Sequence, residues 1–312
     1  MKQAVKDFFI DLESLKVEKF NNYIYEDGIR CKSKGPACYF PGDLTIDGVR
    51  CFFKYEHLKD LLFGQASSKI YYEHLDIPTP LVSPIQTMWD RNLHLASQDV
   101  KVLNRTGIYV SSAGNASGIQ DIKLDHLYDE VDNKWDYLYN SHKKEKLLKY
   151  MTEECLDELT TIFIIDEIRT DPDRHWENFF LYKKPNSKKY EGVIPIDLEY
   201  NILSICSESN IYSNRFENFL QQKYPTFSLY NCREKHSTYP EKLYAIKKLI
   251  QDGVLKDSQI ERIRTFVNSE FSGLIKRNAH KYNLQNNPSA QIMCELSEQL
   301  ESYYRKEFEN EL

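Results

Sequence analysis

Four side chains stand at spacings that could serve phosphoryl transfer. In Thr170-Asp171-Pro172-Asp173-Arg174-His175-Trp176-Glu177-Asn178 an acid, Asp173, is followed five residues later by an amide, Asn178, and the run leads into the apolar Phe179-Phe180-Leu181-Tyr182. A further acid, Asp197, ends Ile194-Pro195-Ile196-Asp197, and Lys54 ends Cys51-Phe52-Phe53-Lys54. Moving a γ-phosphoryl group needs a cation on the nucleotide phosphates, an acid beside the acceptor hydroxyl and oxygen ligands for Mg2+. Lys54 would neutralise the α/β-phosphates of ATP and Asp173 would accept the hydroxyl proton. Asn178 and Asp197 would hold Mg2+, a hard cation that prefers carboxylate and amide oxygens. An Asp/Asn cluster before a strand also serves plain turn chemistry, so the pattern draws its force from Lys54 and Asp197 standing in order with it.

Those residues need elements to hold them. Asp43-Leu44-Thr45-Ile46 and Val49 to Tyr55 read as strands joined by Asp47-Gly48, a pair suited to a two-residue hairpin turn. Alternation along the second strand puts Arg50, Phe52 and Lys54 on one side and Cys51, Phe53 and Tyr55 on the other. Upstream, Ser33-Lys34-Gly35-Pro36 is where a phosphate-covering loop would lie, although neither G-x-G-x-x-G nor a Walker signature is present. Residues 61–75 read as a helix stopped by Asp76-Ile77-Pro78-Thr79-Pro80. Strands are expected at 81–85 and 93–96, then a hinge at Ser97-Gln98-Asp99-Val100, where Asp99 and Val100 would meet adenine through backbone groups. This places a division near residue 100: an N-terminal lobe over 1–100 and a helical lobe over 101–312.

In the second part, 104–118 has the Gly, Ser and Asn content of an exposed loop. Residues 142–169 carry Leu148, Met151, Cys155, Leu159 and Ile162 at helical spacing, a core helix that delivers the chain to the acid-amide motif. Residues 179–182 and 190–196 are expected to form a hairpin whose outer ends bring Asn178 near Asp197. From about 205 onward helical patterns dominate, and the apolar spacing over 1–20 also predicts a helix, for docking on the body or on a partner.

Composition narrows the classes. The 312 residues are 41% hydrophobic and 28% charged, enough to bury one large core or two smaller ones. A net charge of −6 argues against a chain that coats nucleic acid, and no direct nucleic-acid contact is expected. Seven scattered cysteines without C-x-x-C spacing read as reduced thiols rather than a zinc site. No apolar run approaches a membrane span and the first residues lack the apolar core of a signal peptide. A cytoplasmic protein is expected, or one delivered into a host cell by another route.

Asp173-Arg174-His175-x-x-Asn178 before a strand, then Pro195-Ile196-Asp197 at the end of the next, resembles the HipA-like kinase family, especially its compact CtkA-like branch. The likeness extends to Lys54, Phe63-Gly64-Gln65, Leu75-Asp76-Ile77-Pro78 and Leu93-His94-Leu95-Ala96, covering roughly 30 to 200. It implies an α+β, bilobal, phosphatidylinositol 3/4-kinase-like fold with a small β-rich N-lobe and a mostly helical C-lobe. It also implies Mg2+- and ATP-dependent phosphorylation of Ser/Thr on a protein substrate, with autophosphorylation at Ser33 and an antitoxin-like or other regulatory partner. The resemblance makes Asp173 the base, Lys54 the ATP lysine, and Asn178 and Asp197 the metal ligands.

Two residues depart from that pattern. Gln65 stands where the family carries a Glu for the lysine and cannot neutralise it, so Glu73 or Glu56 substitutes or the pair is weakened. Pro172 stiffens the loop and pushes Asp171 toward extended geometry. His175 is expected to anchor the loop, and Arg174 to pair with an acidic or phosphorylated loop or with Asp171. Two other functions fit parts of the pattern: phosphoryl transfer to a small molecule or lipid head group, or a pseudokinase that binds nucleotide or acts as a toxin-like scaffold.

Overall fold

The computed structural model describes residues 1–12, 32–33, 38–39, 44–46, 49–54, 58–86, 93–113, 136–171, 178–199 and 239–312. Its first part is a small antiparallel sheet. Strands β1 (Lys32–Ser33), β2 (Cys38–Tyr39), β4 (Val49–Lys54), β6 (Leu93–Gln98) and β5 (Ser83–Gln86) lie in that order, and β3 (Leu44–Ile46) pairs with β4. Ile46 faces Val49 across two residues, the register expected from Asp47-Gly48. Lys54 sits opposite Leu95 on one side and Tyr39 on the other. The second sheet is β7 (Tyr109–Ser112), β8 (Phe179–Lys183) and β9 (Gly192–Pro195), also antiparallel.

Against the first sheet runs α2 (Leu58–Lys69), which continues as a π-helix over Ile70–His74. From Leu61 to Ser68 every residue is buried, because the helix is covered on all sides. Its apolar positions Leu61, Leu62, Phe63 and Ala66 join one buried cluster that reaches Phe308. Its buried hydroxyls find partners: Ser68 Oγ donates to Gln65 O at 3.1 Å and accepts from Val82 N at 3.1 Å. The helical patterns expected near the C-terminus are met by α6 (Tyr239–Gln251), α7 (Asp257–Val267), α8 (Phe271–Lys281) and α9 (Pro288–Phe308). Phe271 of α8 packs edge-on against Phe63 with ring centroids 4.8 Å apart. The core therefore runs unbroken past position 100, with α2 shared between the first sheet and the C-terminal helices.

Several elements differ from the sequence reading. The stretch 142–169 is two helices, α4 (Ser141–Leu148) and α5 (Glu153–Ile168), after a short α3 (Asp136–Tyr139). The helix restarts because Thr152 caps α5, its Oγ1 accepting from Cys155 N at 3.2 Å, with Glu153 and Glu154 in the first turn where the helix dipole favours acid. Of the loop expected over 104–118, the described part, 104–113, is not simply a loop: a 3-10 helix spans Val100–Thr106, Gly107 takes a left-handed φ of 85°, and β7 follows. Val110 is buried and the chain there pairs with β8, so strand pairing overrides the polar composition. The expected helix over 1–20 is α1 (Lys2–Phe8) within the described residues; 13–31 and, of the expected phosphate-covering stretch, Lys34, Gly35 and Pro36 lie outside them.

Helix α1 closes the junction between the two sheets. Val5 and Phe9 pack with Val100, Leu103, Val110, Phe180, Tyr182 and Ile194. The Gln98 side chain grips the helix end by both groups, donating to Phe8 O at 2.9 Å and accepting from Ile10 N at 3.1 Å. Lys2 and Lys6 pair with Asp76 at 3.1 and 2.7 Å. No helix among the described residues is long and apolar enough to cross a membrane.

Candidate active site

The β8–β9 hairpin positions the two expected metal ligands. Phe179 faces Pro195 at its open end, and one step further Ile196 N–H donates to the carbonyl of Asn178 at 3.0 Å. Asn178 thus stands opposite Ile196, next in the chain to Asp197, with Asn178 buried and Asp197 partly exposed. Asp197 has a φ of 55°, a left-handed conformation costing a non-glycine residue about 1 kcal/mol or more. Contacts on both sides impose it. Thr79 Oγ1 donates to Pro195 O at 2.7 Å, Arg169 Nη1 donates to Leu198 O at 2.8 Å, and Glu199 lies directly against Gly64. A Cβ on Gly64 would stand 2.9 Å from Glu199 Cβ and 3.1 Å from its Cα, so only glycine lets α2 approach this closely.

Arg169 is the hub of the site. Its side chain is fully buried. Nε donates to Asp166 at 2.9 Å, Nη1 to Ser67 Oγ at 3.1 Å as well as to Leu198 O, and Nη2 pairs with Asp171. Tyr71 donates its hydroxyl to Asp166 at 2.6 Å. The planar fork of an arginine can satisfy this many acceptors at fixed angles, which a lysine cannot. One guanidinium thereby ties together α2, the end of α5, the entry to the acid-amide motif and the segment carrying Asp197. Next to it, Lys242 of α6 pairs with the buried Glu167, tying the C-terminal helices to the same helix end.

Helix α5 stops in a Schellman-type arrangement, with Asp171 N donating to Asp166 O at 2.8 Å and Thr170 N to Glu167 O at 3.2 Å. The left-handed position, usually glycine, is Thr170 at φ 64°. Its Oγ1 is buried without a hydrogen-bond partner among the described residues. Residues 172–177, with Asp173, Arg174 and His175, lie outside the described residues; both ends of the stretch, Asp171 and Asn178, are buried.

The remaining candidate residues spread over the first sheet and its edges. Lys54 has its expected strand position, and Ser33 lies on β1; Lys34, Gly35 and Glu56 are outside the described residues. Gln65 is buried on α2 and donates its amide to Tyr282 Oη at 2.9 Å, joining α2 to the end of α8. Glu73 is exposed on the π-helix. Asp99 N–H donates to Arg50 O at 2.9 Å and its carbonyl accepts from Val102 N at 3.2 Å. Its buried carboxylate caps the 3-10 helix through Lys101 N and pairs with Arg50 at 3.0 Å. Asp99 is thus engaged by backbone and side chain alike, and Val100 is buried in the cluster beneath α1.

Sequence reasoning passed over Arg169, Asp166, Tyr71, Ser67 and Thr79. The available signal was Arg169 itself, a cation closing the apolar run Ile162-Phe163-Ile164-Ile165, with acids at 166, 167 and 171 around it. A charge set among core residues needs partners there.

The donor set at the hairpin end suits Mg2+. No three of His, Cys, Asp and Glu converge on a metal position among the described residues. Mg2+ characteristically takes one or two protein oxygens and completes its shell with phosphate and water, which one carboxylate and one amide would supply.

No family model matches this sequence, and no curated protein matches it. Among solved structures the chain is similar to the proinflammatory kinase CtkA of Helicobacter pylori, with a TM-score of 0.55 over 89% of this chain and 93% of that one at 13% identity. It also aligns with HipA of the Shewanella oneidensis MR-1 toxin–antitoxin system, solved with HipB and operator DNA, at a TM-score of 0.49 and 10% identity over 95% of this chain and 71% of that one. The chain has the fold of the first, and the likeness to CtkA-like kinases expected from its motifs is met at the level of the fold.

Proposed function

We propose that this chain, built on the fold of a kinase, is an ATP- and Mg2+-dependent kinase that phosphorylates Ser/Thr hydroxyls of a protein. The observation that carries the reading is the placing of Asn178 and Asp197 at one end of a buried hairpin, with Asp197 forced to positive φ. Aspartate tolerates that conformation better than most residues, and Asp76 adopts it too at φ 53°, so the positive φ supports the reading by fixing the direction in which the Asp197 carboxylate leaves the hairpin end. The fold likeness to CtkA, a kinase, supports it.

In this reading the chain forms a phosphatidylinositol 3/4-kinase-like pair of lobes, 1–100 and 101–312. Lys54 binds the α/β-phosphates, and Asp173 takes the proton from the acceptor hydroxyl. Asn178 and Asp197 hold Mg2+, which when bound neutralises charge on the phosphates during transfer. Arg169 positions the acid-amide motif and the Asp197 segment relative to α2. Ser33, Lys34 and Gly35 belong to the edge that covers the nucleotide, and Ser33 is the candidate for autophosphorylation. Gln65 supplies an amide where a carboxylate would pair with the lysine. Its bond to Tyr282 favours a second reading, a nucleotide-binding protein with little turnover.

Mass spectrometry after incubation with Mg-ATP, alone and with a generic basic protein, tests the proposal. Phosphate on Ser or Thr supports it, and label found only in small-molecule acceptors would reassign the substrate. A thermal shift with Mg-ATP that is present in the parent and absent in Asp197→Ala locates the metal-nucleotide site. No shift in either would sink the kinase reading, and a shift without turnover would favour the second.

A further inference from the structure

The outer turn of the β8–β9 hairpin meets the end of α4 on the far side from Asn178. A parallel bridge between Met151 and Tyr190 makes the contact, with Tyr190 N donating to Tyr150 O at 2.8 Å and Thr152 N to Tyr190 O at 2.9 Å. It lays segment 143–149, with four lysines and Glu145, beside 183–191, with four lysines and Glu191. Together they carry a formal +6 in a chain whose total is −6, so charge is segregated on this molecule rather than mixed.

Half of these cations, Lys146, Lys149, Lys188 and Lys189, are exposed and stand without a carboxylate partner among the described residues. Lys184 reaches Glu191 only at 3.9 Å. Lys183 lies over the rings of Tyr109 and Tyr190. The neighbouring Glu153, at the start of α5, pairs with Lys256 at 2.9 Å, whose hydrogen bond and charge, with a smaller contribution from the charge of Lys144, hold its carboxyl below the usual range.

We infer that this lysine face docks an acidic polypeptide segment of the protein substrate, an inference that rests on the kinase reading above. Neither segment contains an arginine, the residue whose fork suits phosphates of nucleic acid. Neither exposes a Leu, Ile, Phe or Trp to enter a bilayer. Lysine ammoniums on mobile stems suit an irregular run of carboxylates. The strand β8 separates the face from Asn178 by about 17 Å, at about 3.4 Å per residue. An acidic run docked there stands at least about five extended residues from the serine or threonine that receives phosphate.

The test uses the full chain and a fluorescein-labelled oligoglutamate peptide, followed by anisotropy, against Lys146→Glu/Lys149→Glu/Lys188→Glu/Lys189→Glu and the same four positions changed to Gln. The expected result is binding that weakens with salt, falls roughly tenfold or more in the Glu variant, and falls less in the Gln variant. A serine peptide with its acidic run set beyond that spacing should show a raised KM and an unchanged kcat with the Glu variant. The Mg-ATP thermal shift and autophosphorylation, read without peptide, should be the same in all three proteins, so failure of docking is separable from failure of the kinase reading. Equal peptide binding by parent and Glu variant, no binding by the parent, or tighter binding of duplex DNA or of phosphatidylserine vesicles than of the peptide would each overturn the inference.

Discussion

Replacing Arg169 with methionine measures how far one guanidinium holds the site together. The side chain gives hydrogen bonds at 2.9 Å to Asp166, 3.1 Å to Ser67 and 2.8 Å to the Leu198 carbonyl, and pairs with Asp171. Methionine fills much of the space and returns none of the donors, so two buried acids lose their cation. Removing one partner from a buried ion pair costs about 3–5 kcal/mol, against a total stability on the order of 5–15 kcal/mol. With unfolding entropy of about 2.1 cal/mol/K per residue, a loss of about 4 kcal/mol in a chain of this length lowers Tm by roughly 6 °C. Arg169→Lys keeps the charge but reaches fewer acceptors, so its melting point should lie between the two. Its Mg-ATP thermal shift should nonetheless fall steeply, because the Leu198 carbonyl and Ser67 are no longer held by one rigid fork. Differential scanning calorimetry with and without Mg-ATP reads both effects. A methionine variant melting within about 1 °C of the parent, where several degrees are expected, would refute the role assigned to the network.

Other substitutions probe the neighbouring contacts. Gly64→Ala should destabilise by about 1–3 kcal/mol in urea unfolding and weaken Mg-ATP binding, since the new Cβ meets Glu199 backbone and side chain at once; unchanged binding would show that α2 can retreat without moving Asp197. Thr170→Gly should stabilise by about 1 kcal/mol, through relief of the left-handed strain and removal of a buried hydroxyl without a partner among the described residues, and a loss of stability would mean the side chain holds something in place. Tyr282→Phe should cost about 1 kcal/mol by leaving the buried Gln65 amide without this acceptor, as urea unfolding would read. At Asp76 burial pushes the carboxyl up, but hydrogen bonds and charge from Lys6 and Lys2 prevail and hold it below its usual value. The clasp on α1 is therefore complete above the unfolded value of about 4 and lost as pH falls through the lower folded one; Asp76→Asn should flatten that part of the melting profile, and an unaltered profile would place the acid sensitivity elsewhere.

What the sequence disclosed and what it hid follow from the range of the forces involved. Lys54 on a strand, the register set by Asp47-Gly48, and the placing of Asn178 and Asp197 at one end of a hairpin are local consequences of alternation and turn chemistry, visible in a few consecutive residues. The division of 142–169 rests on one cap, Thr152, set inside a continuous apolar pattern; β7 lies where composition favoured a loop and pairing with β8 decided otherwise. Arg169 among acids at the end of an apolar run was visible, but its distant partners were out of reach, because Ser67 lies 102 residues away from it and Leu198 29, and no periodicity announces such pairings. The backbone nevertheless left a local trace. Thr170 and Asp197 both adopt positive φ without being glycine, and they flank Arg169 and the Leu198 carbonyl that it binds. Local preference would put glycine at 170, where a β-branched residue is strained, whereas aspartate at 197 tolerates the conformation better. The same guanidinium holds the segments on which both lie, so in the kinase reading proposed above the strain at Thr170 is kept because Arg169 must fix the entry to the acid-amide motif against the segment carrying Asp197.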